Sequence, residues 1–191
     1  MNPAESVPGN YKKLLEKCLE IGFTMPADLG VGSLLKTLVA GKPNGNFLEL
    51  GTGIGLSLSW MVDGMDDGGT ITSIDNDPKL TEIVNSFFTL DPRVNILCQD
   101  GATWLKNNSK NKFDLIFADT WPGKYSELGE VLALLKVGGM YIIDDMDPQP
   151  NWPEGHAEKA LALVEKLENL KDFTFTRMNW STGIILMTKT R

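Results

Sequence analysis

Three glycines at alternate positions, Gly51, Gly53 and Gly55, close the run Phe47-Leu48-Glu49-Leu50-Gly51-Thr52-Gly53-Ile54-Gly55. Glycines placed directly after an apolar strand let the backbone turn tightly and approach a ligand closely. The next apolar segment ends at Asp75, 20 residues beyond Gly55. A carboxylate at that distance can accept hydrogen bonds from both hydroxyls of a ribose. A dinucleotide loop would call for a further glycine at position 56, where this chain has Leu56. The spacing therefore favours a nucleoside over a dinucleotide and disfavours a nicotinamide-dependent reductase.

These residues need elements to hold them. Tyr11, Leu14, Leu15, Cys18 and Leu19 recur with the spacing of one helix face, and Val31, Leu34, Leu35, Leu38 and Val39 repeat it. Gly41 and Pro43 stop the second helix. From Asn46 onward short apolar strands alternate with helices. The strands are expected at Phe47–Leu50, Thr70–Asp75, Arg93–Cys98, Phe113–Ala118 and Met140–Asp144. Helices are expected at Leu56–Met65, Pro78–Phe88, Ala102–Lys106, Ser126–Leu135 and Glu154–Leu170. Such alternation implies a parallel sheet with helices on both faces. Phe173–Met178 and Ile184–Thr188, joined by Asn179-Trp180-Ser181-Thr182-Gly183, predict an antiparallel hairpin. The expected architecture is α/β: a Rossmann-like seven-stranded sheet whose last strand is antiparallel. It forms a single domain over residues 1–191, with a helical cap at 1–43 and the core at 44–191.

At the glycine loop the sequence resembles the class I S-adenosylmethionine-dependent methyltransferases. Glu49 to Gly55 matches their E-x-G-x-G-x-G loop, and Asp75 their ribose-binding acid. Gln99-Asp100-Gly101 is similar to their G-D-A segment, with Gln99 and Gly101 replacing the usual residues. The resemblance implies S-adenosylmethionine as methyl donor, held by Glu49, Gly51, Thr52, Gly53, Gly55, Ser57, Asp75, Asp100 and Gly101. It also brings Asp119 and Trp121 to the donor, Trp121 at the adenine. Met25-Pro26 stands before the second helix, as in the segment of related enzymes that lies over donor or acceptor.

Two further segments resemble the catechol and caffeoyl-CoA type O-methyltransferases: Phe113 through Tyr125, and Leu135 through Asp145. In that family an Asp after the fourth strand and an Asp-Asn pair after the fifth hold a divalent metal that binds the acceptor hydroxyl. The resemblance puts Asp119, Asp144 and Asp145 in those places, and three hard oxygen ligands suit Mg²⁺, Mn²⁺ or Ca²⁺. Asp145 stands where the family has Asn. Pro122 stands where the family has its general-base Lys, and Lys124 follows two positions later, with Tyr125 matching the family. Asp119, Asp144 and Lys124 are thus the catalytic candidates, with Lys124 either reaching the site or lying solvated at the surface. An acidic loop capping the next segment is the rival reading of Asp144 and Asp145.

The single histidine, His156, opens the last long helix, whose apolar face reads Ala157, Ala160, Leu161, Val164 and Leu167. A helix start favours neutral imidazole, which can accept a proton. An exposed first-turn residue is the simpler expectation. Trp121, Trp152 and Trp180 follow strands four, five and six, and at least two of them are expected to bound one pocket for a planar acceptor, the alternative being that each covers its own loop; Trp60 and Trp104 fall in helices.

Composition limits the partners. The 191 residues carry 18 Lys and Arg against 25 Asp and Glu, a net charge of −7, which repels a nucleic-acid backbone. No apolar run is long enough to span a membrane. Met1-Asn2-Pro3-Ala4-Glu5 lacks the pattern of a secretory leader, and two cysteines form no disulfide framework, so a cytoplasmic setting is expected. The expected activity is methyl transfer to a hydroxyl of a small aromatic or planar molecule, metal-assisted or metal-free. An N-methyltransferase and a donor-binding module without turnover are the alternatives. Relatives of the resembled family often dimerise, so a homodimer stays open.

Overall fold

The computed structural model describes residues 7–149 and 152–191. The segment Met1 to Glu5, on which the absence of a leader was read, lies outside them. The chain forms two compact units, one running to Gly101 and the other beginning at Ala102. Among the described residues seven strands form, in the order β3-β2-β1 in the first unit and β4-β5-β7-β6 in the second.

The first unit contains α1 (Tyr11–Glu20), α2 (Leu29–Ala40), β1 (Asn46–Leu50), α3 (Leu56–Gly64), β2 (Thr70–Asp75), α4 (Pro78–Phe88) and β3 (Val94–Cys98). The three strands pair in parallel, with Glu49 of β1 in register with Ser73 of β2 and Asp75 of β2 with Cys98 of β3. Local chemistry sets the helix starts. The Asp28 carboxylate accepts the Gly30 N–H, and Asp77 accepts the N–H groups of Lys79 and Leu80 ahead of a proline at the first helical position. Phe47, Leu48, Leu50 and Ile71 of the strands are buried with Leu35 of α2 and Leu58 and Met61 of α3. One face of α1 is narrower than its spacing implies: Tyr11, Leu14 and Cys18 are buried, but Leu15 and Leu19 are exposed.

The second unit contains α5 (Gly101–Asn107, overlapping the boundary by one residue), β4 (Phe113–Ala118), α6 (Leu128–Ala133), β5 (Leu135–Ile143), α7 (His156–Glu168), β6 (Phe173–Met178) and β7 (Ile184–Lys189). β5 runs parallel to β4 and antiparallel to β7, and β6 and β7 form the expected antiparallel hairpin. The largest boundary difference from the sequence reading lies between α6 and β5. α6 stops at Ala133, and β5 begins at Leu135 because Phe113 already pairs with it; the register then shifts before Leu115 meets Met140. The face of α7 turns by one position, burying Leu163 and His156 and exposing Leu161. Among the described residues no helix is long and apolar enough to cross a membrane.

Candidate active site

In the first unit, the loop leaving β1 is held from below by a chain of buried hydroxyls. The Glu49 carboxylate accepts hydrogen bonds from Ser57 Oγ at 2.6 Å and from Ser73 Oγ, and Ser73 Oγ lies 2.6 Å from Thr52 Oγ1. Glu49 is fully buried, and burial pushes its carboxyl up to about 7 against the pull of the two serine hydroxyls, with the Asp75 charge adding to the rise. Above this network Gly51, Gly53 and Gly55 take φ values of 96°, 51° and 82°, the region glycine occupies without strain. At Gly55 a Cβ would stand 2.8 Å from Val84 Cγ1, so α4 approaches the loop too closely for a side chain.

Asp75 ends β2 beside that loop. Its Oδ2 accepts the Gly53 N–H at 2.8 Å and its Oδ1 the Asp77 N–H at 3.0 Å. Two main-chain donors thereby fix a half-buried carboxylate whose remaining lone pairs can take further hydroxyl groups. The Gln99 N–H binds the Asp75 carbonyl at 2.8 Å, placing the exposed Asp100 just beyond β3 and Gly101 at the start of α5. These groups could hold the ribose of a nucleoside.

In the second unit, Lys124 is buried. The turn after β4 brings it inward: the Lys124 and Tyr125 N–H groups both bind the Trp121 carbonyl, at 3.1 and 2.9 Å, and the Tyr141 hydroxyl donates to the Gly123 carbonyl. Lys124 Nζ donates to the carbonyls of Asp144 at 2.6 Å and Asp145 at 3.3 Å. Burial lowers its ammonium from the usual value, opposed by the charges of Asp119, Asp145 and Asp144. Asp144 is buried as well, and its Oδ1 accepts the Asp145 N–H at 2.7 Å and the Thr182 hydroxyl. Burial pushes the Asp144 carboxyl up to about 6 in spite of these bonds. The loop is pinned to the hairpin by the Met146 and Asp147 N–H groups on the carbonyls of Gly183 and Thr182.

Around His156 four rings meet. Trp152 lies 4.4 Å from the imidazole centroid, Tyr125 5.1 Å and Trp121 5.8 Å. The Tyr125 hydroxyl is 3.1 Å from Nε2, and the buried Nδ1 has no hydrogen-bond partner among the described residues. Burial holds the imidazole below its usual value, aided by Lys124 and Lys159. Burial likewise pushes the Tyr125 phenol up to about 12, with the Asp145 charge adding to it.

Several sequence expectations change here. Glu49, Thr52 and Ser57 turn their side chains into the buried network, so they brace the glycine loop from within. His156 is buried among rings where an exposed residue was expected, and Lys124 is not a solvated surface lysine. Trp121 and Trp152 both contact His156, while Trp180 is exposed in the hairpin turn. The metal expectation at Asp119, Asp144 and Asp145 does not fit the donor set: among the described residues no three His, Cys, Asp or Glu side chains form a metal-holding group. One Asp144 oxygen already accepts two hydrogen bonds, and the buried Lys124 ammonium donates to the main-chain carbonyls of Asp144 and Asp145. Ser73 and Thr182 were missed. Ser73 left a signal, since it shares the register of Glu49 in adjacent strands; Thr182, a turn residue, left none.

Comparisons with known proteins follow from this geometry. Residues 48–146 match the model of a family described as a methyltransferase domain. A protein of Mycobacterium ulcerans (strain Agy99), provisionally named an O-methyltransferase, is 30% identical over 128 residues, covering 64% of this chain and 56% of that protein. A provisionally named caffeoyl-CoA O-methyltransferase of Arabidopsis thaliana is 30% identical over 154 residues, covering 74% of this chain and 66% of its own length. The chain thus spans little more than half of the mycobacterial relative. Among solved structures, an O-methyltransferase from Bacillus cereus in complex with SAH superposes with a TM-score of 0.82 at 19% identity, covering 97% of this chain and 92% of that one. The O-methyltransferase TomG from Streptomyces achromogenes, in complex with SAM, gives 0.84 at 19% identity over the same shares. These likenesses establish the shared fold.

Proposed function

Because the chain belongs to the methyltransferase-domain family, we propose that it transfers the methyl group of S-adenosylmethionine to a hydroxyl of a small, planar acceptor. The observation that carries this reading is the Asp75 carboxylate, fixed by the N–H groups of Gly53 and Asp77 beside three glycines of positive φ. Asp75 takes the ribose hydroxyls, the main chain of the glycine loop passes along the amino-acid portion, and Asp100 meets the adenine. The bound donor supplies a sulfonium-activated methyl carbon. The acceptor oxygen attacks that carbon in line as its hydroxyl proton is released to solvent, the O–CH₃ bond forming as the C–S bond breaks with its electron pair retained by sulfur. Positioning the two reactants and excluding water supply most of the acceleration.

In this reading the second unit serves the acceptor. The rings of Trp121, Tyr125 and Trp152 around His156 support a flat, apolar acceptor, because offset or edge-on ring contacts add about 0.5–1.5 kcal/mol beyond burial. Names of the relatives, O-methyltransferases including a caffeoyl-CoA type, favour oxygen over nitrogen as the attacking atom.

Titration calorimetry with S-adenosylmethionine and its demethylated product tests the donor half, and product formation with a panel of phenols tests the acceptor half. Asp75→Ala is expected to weaken donor binding by about 1.5–3 kcal/mol, the range for a lost hydrogen bond to a charged group. Unchanged donor affinity in a folded Asp75→Ala protein refutes the assignment. Donor binding without product from any phenol points instead to a binding module.

A further inference from the structure

We propose that Lys124 is the resident cation of the acidic site, its ammonium holding the charge position that a divalent ion would occupy among Asp119, Asp144 and Asp145. The proposal rests on the methyl-transfer reading for its purpose and on the second unit's geometry for its substance.

A charged side chain as buried as Lys124 must be compensated by hydrogen bonds and opposite charge. Both are present. Nζ donates to the main-chain carbonyls of Asp144 and Asp145, which draws the ammonium to the chain segment that carries two of the three acids. The charges of Asp119, Asp145 and Asp144 all act on it. The lysine arrives by construction of the turn after β4, through the paired N–H bonds to the Trp121 carbonyl and the left-handed Gly123 at φ 87°.

The carboxylates are correspondingly poor ligands. Asp144 Oδ1 is occupied by the Thr182 hydroxyl and the Asp145 N–H. The three acids do not converge as a metal-holding group among the described residues. A second, doubly charged ion would also be repelled by the ammonium. A buried, fixed monocation can do part of what a metal does for a methyl acceptor. An ammonium has three donors, and two reach carbonyls, so the third can bind an oxygen that gains negative charge as its proton leaves to water.

Mn²⁺ alone is the probe, followed by electron paramagnetic resonance and by thermal melting of the full chain. The wild-type protein is expected to leave the free-ion spectrum unchanged and to melt at the same temperature with Mn²⁺ or chelator. Lys124→Met is expected to take up Mn²⁺ and to gain melting temperature from it, and Asp144→Asn in the same background to abolish both effects. Should Lys124→Met fail to fold alone, circular dichroism with and without Mn²⁺ reads the same point, because an ion that replaces the lysine restores the fold. The proposal is overturned by wild-type uptake of Mn²⁺ that Asp144→Asn removes. It is equally overturned by a Lys124→Met protein that Mn²⁺ neither binds nor rescues. Donor calorimetry on the wild type separates the two readings: a chain that binds no S-adenosylmethionine but shows the expected Mn²⁺ pattern loses the methyl-transfer reading and keeps the lysine assignment.

Discussion

Replacing Glu49 with Gln isolates the energetic cost of a buried acid beneath the glycine loop. Glu49 is fully buried, with Ser57 and Ser73 on its two oxygens. Its carboxyl rises from 4.5 in the unfolded chain to about 7 in the fold. A folded-state value above the unfolded one means that the native protein binds the proton more tightly. Stability is therefore highest below about 4.5, falls as pH rises toward 7, and levels off above it. The difference of about 2.5 in pKa, at 1.36 kcal/mol each, amounts to roughly 3 kcal/mol in alkaline solution. Gln keeps the shape and an acceptor oxygen but carries no proton equilibrium, and the serine hydroxyls can rotate to accept its amide hydrogens. Urea denaturation of wild type and Glu49→Gln at pH 5, 6, 7 and 8 is expected to show the variant gaining relative stability across the series. At about 2–4 °C per kcal/mol for a chain of this length, the gain is roughly 6–12 °C in Tm at the alkaline end. Asp144, pushed up to about 6, gives a slope of the same sign, but it is common to both proteins and cancels in the difference. Parallel stability profiles would refute the reasoning, because they would mean that Glu49 ionises in the fold as readily as in water.

Two further outcomes are expected. Gly55→Val combines a φ of 82° with a Cβ 2.8 Å from Val84; it should lower stability by about 1–3 kcal/mol and reduce donor affinity, and an unshifted Tm would count against the close approach of α4. Trp152→Ala, which uncovers His156, should raise the KM for a phenolic acceptor and leave donor affinity unchanged, whereas Trp180→Ala, exposed in the hairpin turn, should change neither; identical kinetics for both variants would remove Trp152 from the acceptor site.

Where a strand or helix carries its own signal, sequence and structure agree closely. β2, β4 and β6 and helix α4 have the boundaries read from alternation, and for α4 the reason is local: Asp77 caps the helix and Pro78 starts it. The first half of β5 carried no such signal, because Lys136, Val137 and Gly138 are exposed and read as loop. What holds that half of β5 is Phe113, 22 positions earlier in the chain. The candidate site shows the same division. Spacing alone located the glycine loop and Asp75, since backbone conformation and strand length govern both. Side-chain direction was not legible: Glu49, Thr52 and Ser57 have the right types for ligand contact, yet each finds its partner inside the fold, Glu49 and Thr52 at Ser73 of the neighbouring strand.

Lys124 shows why a residue out of its expected place need not be out of function. Sequence spacing measures position along the chain, whereas a tight turn reverses direction within four residues and can bring nearby positions to the same point. Here the Trp121 carbonyl gathers the N–H groups of Lys124, Tyr125 and Ser126, and Gly123 supplies the left-handed residue that the reversal needs. A proline at 122 costs this turn nothing, since the carbonyl of Trp121 and not the nitrogen of residue 122 does the binding. The long lysine side chain then spans the remaining distance to the carbonyls of Asp144 and Asp145. With that cation built into the chain, the second carboxylate at Asp145 makes electrostatic sense. An extra negative charge that would overload an ion already held by two acids instead helps to keep a buried ammonium charged.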